Sequence, residues 1–409
     1  MSKLTFAFIK ERKSPPDRRV VCTPAQLHAA DKEFKNADFV VEASDIRVFS
    51  DEQYREEGID VVSDVSQAEV MIGVKEVPIE ALIPNKKYFF FSHTIKKQPY
   101  NRDLLKAVLE KNIELYDHEV ITRKSGARLI GFGRYAGIVG AYNGFRALGL
   151  RENLFELPKV EHLPDYAQVK KELKKIAPKL PPINIAMTGS GKVAGGIREV
   201  LEVLHVHEVK PKEFLQLRQF KNTQTVFTRL QVTDYYIRKD GYVPTKTEVF
   251  NNPELLHSNF MRFAKVADML ITGHFYGDGA PYFFTRDDAK HEDFNINLIA
   301  DVSCDIDGPI ASTLRPSTIE NPFYGYDPHT EKEVAYDQKG AITVMAVDNL
   351  PCELPKDASE GFGALFLKHV IPAFFNGDKS GVLARAKMTE KGQLTERFSY
   401  LQDFVEGRE

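Results

Sequence analysis

The chain has 409 residues, long for one hydrophobic core and enough for two or three domains. Hydrophobic residues make up 43% and charged residues 28%, and the formal net charge is -3. That balance gives no basic footprint for nucleic acid or a membrane surface and leaves a small molecule as the expected partner. Three scattered cysteines, Cys22, Cys304 and Cys352, rule out a disulfide framework or a cysteine metal site and fit a reducing compartment. The N-terminal residues show neither a basic n-region nor a cleavage site, and no run is as long as a membrane span, so the expectation is cytoplasmic.

In chain order, LTFAFIK (4–10) reads as a strand. PPDRRVVCTPAQLHAADKEF then gives a turn and a helix beginning at Thr23-Pro24, an N-cap followed by proline at the first helical position. FVVEA, GIDVV, EVMIGVK, KYFFFSH and IELYDHEVI follow as strands between polar helical stretches, the rhythm of an α/β fold. LIGFGRYAGIVGAYNGFRALGL, from Leu129, carries small and apolar residues at helical spacing and predicts a helix joining two lobes. Residues 157–182 are charged, hold one amphipathic helix, end in prolines and read as a domain entrance. Beyond them VHEVKP, a polar helical region, ADMLITGHFY, NLIADVSCD and AITVMAVDNLP predict the strands of a second α/β lobe. SEGFGALFLKHVIPAFFNG turns helical again and the tail is polar.

The firmest chemical signal is INIAMTGSGKVAGGIREVLEVL (183–204), an apolar strand running into Gly189-Ser190-Gly191 and then a helix. Glycines there let the backbone approach a pyrophosphate, and the helix start aims N–H groups at the anion. The third glycine position is Ala194, with Gly195 and Gly196 following. An acidic residue about 20 positions on would hold the adenosine ribose. Glu208 is a candidate, yet the expected strand end carries Lys210 and Lys212, which would neutralise a 2′-phosphate or simply be solvated. NAD and NADP both remain open.

In the first lobe Lys75 and His93 follow strands, where α/β proteins place their chemistry. A histidine exchanges protons near neutral pH, and a lysine desolvated beside other cations is lowered toward that range, which suits imine chemistry. The bland readings are a structural histidine and a surface lysine. Arg18, Arg19, Lys96, Lys97 and Arg128 are cations suited to carboxylates, with a solvated face as the alternative. Glu119 is a strand-end carboxylate able to pair with an amine or a cation. In the second lobe Asp301, Asp305, Asp348 and Asn349 end strands, either as helix caps or around a nicotinamide.

Taken together, RRVVCTP, MIGVKEVP, FFSHTIKKQ, LYDHE, GFGRYAG, MTGSGKVAGG, IADVSCDIDGPI, STIENPFYGYD and VDNLPCELP resemble the alanine dehydrogenase and transhydrogenase superfamily, most closely its lysine and saccharopine branch. The resemblance spans residues 4–375. It implies two Rossmann-like lobes with a cleft between them, the first completed by the C-terminal helices, so that a discontinuous substrate domain, 1–140 plus 351–409, is expected around a dinucleotide-binding domain, 141–350. It also implies a nicotinamide cofactor and a reversible reaction between saccharopine and lysine plus 2-oxoglutarate. By resemblance Lys75 and His93 match the acid–base pair; Arg19 matches a carboxylate-gripping arginine, in a segment where this chain has Cys22 for leucine; Lys96, Glu119 and Arg128 match substrate-pocket positions. Gly189, Gly191 and Ala194 match the pyrophosphate turn, and Asp305, Asp348, Asn349 and Leu350 match segments near the nicotinamide. A pocket with Arg19, Lys96, Arg128 and Lys97 suits three carboxylates better than alanine's one, since unpartnered buried cations are costly. Alternatives are a dehydrogenase for alanine or another small amino acid and a catalytically silent dinucleotide-binding regulator.

Overall fold

The computed structural model describes residues 3–14, 16–219, 223–277 and 279–408. Pro15 of the expected first turn, and 220–222 of the expected polar helical region, lie outside them. The chain divides into two compact units, Met1–Phe132 with Pro355–Glu409, and Gly133–Leu354.

The first unit is built on six parallel strands: β1 (Leu4–Phe8), β2 (Ala37–Glu42), β3 (Asp60–Val62), β4 (Val70–Ile72), β5 (Lys87–Phe90) and β6 (Glu114–Asp117). Their order is β3-β2-β1-β4-β5-β6, the doubly wound order of dinucleotide-binding folds. Central β1 pairs Phe6 with both Phe39 and Val70, so its apolar run is covered on both sides. Helix α1 (Pro24–Glu33) starts as its sequence predicts: the Thr23 hydroxyl accepts from Gln26 N–H, the Gln26 side chain returns to Thr23 N–H, and Pro24 occupies the first turn. Helix α2 (Asp51–Glu56) repeats that box with Ser50 and Gln53, and α3 (Arg102–Glu110) buries Leu104, Leu105, Ala107 and Val108.

The returning C-terminal segment covers this sheet with aromatic rings. Phe366, on the helix Pro355–His369, meets Phe89 edge-on at 5.8 Å, Phe374 meets Phe6 edge-on at 5.1 Å, and Phe89 stacks on Tyr116 at 4.5 Å. Thr389 ties the segment to β6, accepting from Leu115 N–H at 2.9 Å and donating to the Ile113 carbonyl at 2.7 Å.

The second unit opens with α4 (Gly133–Arg151) and α5 (Tyr166–Ile176), the latter the amphipathic helix expected in 157–182. Then come β7 (Asn184–Thr188), α6 (Lys192–Val203), β8 (His207–Glu208), α7 (Pro211–Gln216) and β9 (Val226–Leu230). β10 (Tyr236–Arg238) and β11 (Leu256–Ser258) form a separate antiparallel pair, and β12 (Met269–Thr272) and β13 (Leu298–Asp301) return to the main sheet. β14 (Phe323–Asp327), β15 (Lys332–Val334) and β16 (Ile342–Met345) complete it, in the order β15-β14-β16-β13-β12-β7-β9-β8.

β10, β11, β14 and β15 are strands that the sequence reading does not expect, and two further departures concern β9. β9 falls where a polar helical region is expected; its Val226, Phe227 and Leu230 are buried, and tertiary packing outweighs the polar flanks. β9 also occupies the place beside β7, pushing β8 to the outer edge.

Glycine fixes the packing of α4 on α6. A Cβ on Gly137 would lie 2.0 Å from the Val193 carbonyl oxygen, and one on Gly196 would lie 1.9 Å from that of Arg134. The two helices therefore touch backbone to backbone.

Candidate active site

In the first unit the titratable residues gather just beyond β4 and β5, which are neighbours in the sheet. Buried Glu11 fixes the chain leaving β4, accepting Val74 N–H at 2.7 Å and Lys75 N–H at 2.8 Å. Burial lifts this carboxyl to about 7. The Lys75 ammonium is lowered from its usual value, first by burial and then by the charges of Arg19 and Lys13, with Asp17 and Glu76 opposing. That is the direction a lysine base requires.

His93 sits in the left-handed region at φ 54. Its Nδ1 lies 2.6 Å from Glu76 Oε1. Burial opposes ionisation of Glu76, yet the hydrogen bond and charge of His93, with Lys13 Nζ at 3.2 Å, hold it at about 2. An ionised carboxylate only accepts, so Nδ1 carries the proton at this contact and Nε2 is the ring's other nitrogen.

Arg19 is 2% exposed and meets Asp17 as a two-pronged pair, Nε–Oδ1 at 3.0 Å and Nη2–Oδ2 at 2.6 Å. Burial opposes ionisation of Asp17, but the charge and hydrogen bonds of Arg19 hold its carboxyl below the usual range. The guanidinium also lies 4.2 Å over the Phe132 ring. Glu119 is buried, and its Oε1 takes Arg128 Nη2 at 3.0 Å while Oε2 has no protein partner among the described residues. Lys96 is exposed, and Lys97 lies 5.9 Å from the Tyr400 ring centroid.

Asp17, Glu76, Glu11 and a buried Asp117–Ser92 pair are partners absent from the sequence reading. Asp17 two residues before Arg19, and Glu76 beside Lys75, are the local signals for the first two. Asp117 accepts both the N–H and the hydroxyl of Ser92, and burial lifts it to about 6. His118, fully buried, donates Nε2–H to the Gly73 carbonyl at 2.9 Å, and burial lowers it to about 4.

In the second unit β7 ends at Thr188 and is followed by Gly189, whose φ is +98 and whose added Cβ would stand 2.2 Å from the Gly273 carbonyl oxygen. Ser190, Gly191 and Lys192 are exposed, and a Cβ on Gly191 would meet nothing within 4 Å. Gly191 caps α6 and Ala194 is buried in its first turn. This glycine-rich turn, open at Gly191 and set at the start of a 12-residue helix, fits a dinucleotide pyrophosphate. Asp305 and Asn349 are half-buried, Asp348 is exposed and Leu350 is buried.

Lys210 differs from its expected setting. It follows β8, with β9 between that strand and β7, and its backbone N–H is taken by Glu213 at 3.0 Å. Glu208 faces Arg198 and Arg229, each at 3.8 Å.

Residues 7–139 match the family model described as alanine dehydrogenase/PNT, N-terminal domain. The match covers about a third of the chain. Over its whole length the chain is 27% identical to the mitochondrial alpha-aminoadipic semialdehyde synthase of Mus musculus, covering 48% of that protein. The chain thus spans about half the length of the first curated relatives it matches. It is also 23% identical to the saccharopine dehydrogenase [NAD(+), L-lysine-forming] of Yarrowia lipolytica, over 93% of this chain and 95% of that one. Among solved structures an L-alanine dehydrogenase superposes with a TM-score of 0.63 at 14% identity, covering 98% of this chain and all of that one. A transhydrogenase from Sinorhizobium meliloti gives 0.60 at 15%, over 96% of this chain and all of that one. At these identities the two structures establish the shared α/β fold. No helix among the described residues is long and apolar enough to cross a membrane.

Proposed function

We propose that the chain is a nicotinamide-dependent oxidoreductase that interconverts saccharopine with lysine and 2-oxoglutarate. On this reading the first unit supplies acid–base and substrate groups and the second binds the dinucleotide. The observation that carries it is the grouping beyond β4 and β5: a lysine lowered by burial and, next to it in sequence, an ionised glutamate that engages a histidine Nδ1. Relatives named for saccharopine and for alpha-aminoadipic semialdehyde support this substrate class.

The overall change is saccharopine, water and oxidised cofactor to lysine, 2-oxoglutarate, reduced cofactor and a proton. When bound, the nicotinamide accepts the hydride. In the lysine-forming direction neutral Lys75 takes the proton of the substrate's secondary ammonium, freeing the nitrogen lone pair that drives imine formation. His93 Nε2 accepts a proton from the water that adds to the imine carbon and returns one to nitrogen as the carbon–nitrogen bond breaks. Glu76 keeps the ring in the required tautomer throughout. Arg19, pre-oriented by Asp17, and Arg128, beside Glu119, are the proposed carboxylate contacts, with Lys96 at the exposed margin. Asp305, Asp348, Asn349 and Leu350 are the proposed nicotinamide-side residues, and Gly189, Gly191 and Ala194 form the pyrophosphate turn.

A second reading, a dehydrogenase for a smaller amino acid, is favoured by one observation. Asp17 and Glu119 already compensate Arg19 and Arg128, so fewer cations call for substrate carboxylates. The two readings separate in one assay, oxidation of NADH or NADPH by the purified protein with 2-oxoglutarate and either lysine or ammonia. Faster oxidation with lysine supports the saccharopine reading, and a rate no greater than with ammonia rejects it.

A further inference from the structure

We infer that the adenosine ribose of the bound dinucleotide is read at the end of β9, by Arg229 and Gln231, rather than at the end of β8, and that this corner accepts a 2′-phosphate. The inference rests on the dinucleotide reading of the second unit.

In the usual doubly wound order, the chain leaves the glycine turn through its helix and enters the strand beside the first, whose last residue contacts the ribose. Here it enters β8 at the outer edge, and β9 takes the inner place. β9 aligns with β7 over five residue pairs, from Asn184 with Val226 to Thr188 with Leu230. The Leu230 carbonyl accepts Gly189 N–H at 2.9 Å, so the end of β9 abuts the glycine turn and Gln231 is the next residue along. Among the described residues β8 pairs only with β9. Two strand spacings, roughly 10 Å, therefore separate β8 from β7. Lys210 lies beyond that outer strand, at the start of α7.

The charges at the inner strand end suit a phosphate. Arg229 pairs in register with Met187, and Glu208 with Phe227, which places Arg229, Phe227 and Glu208 on one face. Arg198, on α6, reaches the same Glu208. One carboxylate is thus shared by two guanidinium groups. Both contacts are 3.8 Å long and all three side chains keep 35–39% of their surface, so the pairs are weak and open to exchange. Guanidinium forks match phosphate oxygens. Gln231 caps the short helix Val232–Tyr235, where the Asp234 carboxylate accepts Gln231 N–H at 2.7 Å, so its side-chain NH2 is the group offered to a ribose hydroxyl, and the Asp234 charge stands at the same strand end as the Arg229 guanidinium that faces the phosphate.

The test is equilibrium binding of NADPH and of NADH to the full chain, read by the fluorescence of the bound dihydronicotinamide, so no turnover is needed. Wild type is expected to bind NADPH about tenfold or more tighter than NADH. Arg229→Ala should remove about tenfold or more of the NADPH affinity while leaving NADH within about twofold, which also shows that the variant is folded. Gln231→Asp should weaken NADPH selectively, and Lys210→Ala should leave both ligands within about twofold. Unchanged NADPH binding in Arg229→Ala, a selective loss in Lys210→Ala, or a wild-type preference for NADH overturns the inference while leaving the dinucleotide reading in place. A wild type that binds neither ligand overturns both.

Discussion

His93 Nδ1 lies 2.6 Å from the Glu76 carboxylate, and Glu76 is held at about 2, so the imidazole always faces an ionised acceptor across the physiological range. The pair orients a ring rather than storing a proton in the acid. Replacing His93 with Gln removes the exchanging nitrogen and should cut turnover about 10²-fold or more. Glu76→Gln keeps the imidazole but offers it a side chain that also donates, which admits the wrong tautomer. Its loss should appear mainly in kcat, with KM close to wild type, and an unchanged kcat for Glu76→Gln would remove the orienting role.

Lys75 is lowered by burial first and by Arg19 and Lys13 next, so an ionisation below the ordinary lysine value should shape the rate profile. Lys75→Met should lose about 10²-fold or more in turnover together with that ionisation. Steady-state rates across pH provide the check, and a variant profile that superposes on wild type would exclude Lys75 as the base.

Glu353 gives a stability test independent of catalysis. It is buried, accepts Asn143 Nδ2 at 2.9 Å, and is lifted to about 8 by burial. Between 4.5 and about 8 the folded chain keeps this proton while the unfolded chain loses it, so stability falls as pH rises through that window. Glu353→Gln removes the dependence. Its melting temperature should match wild type near the bottom of the window and exceed it at the top, by a gain on the order of 1–3 kcal/mol. Parallel melting curves at both ends would refute the assignment.

Gly196→Ala would drive a methyl group into the Arg134 carbonyl, which lies 1.9 Å from the Cβ position. A backbone atom cannot step aside as a side-chain tip can. We expect a loss of about 1–3 kcal/mol, seen as a lower urea midpoint with little change in slope. Gly195→Ala, where a Cβ meets nothing within 4 Å, is the matched control.

Much of the architecture is legible in the sequence because its local signals are strong. Thr23-Pro24 starts a helix where an N-cap and proline coincide, and LIADV reads as a buried strand because it is apolar on both faces. β9 escapes such reading: VFTRL is short, contains an arginine and sits among polar residues, and only its pairing with β7 makes it a strand. Strand order escapes too, since the choice between β8 and β9 for the inner place depends on pairing that no local periodicity encodes. In the candidate site Lys75, His93 and Arg19 stand out as residue types. Their partners Glu76, Glu11 and Asp17 do not, because a carboxylate among many in the sequence becomes distinctive only when its neighbours are known.

The bare contact between α4 and α6 bears on how such a protein can change over generations. Where two helices meet through side chains, a swap on one can be answered by a swap on the other, and the spacing drifts by small steps. Where carbonyls rest directly on Gly137 and Gly196, there is nothing left to trim. The start of α6 is in effect set by a rigid spacer of zero length. Substitutions at Gly137 or Gly196 therefore shift α6 as a whole against α4, since no side chain between them can absorb the change.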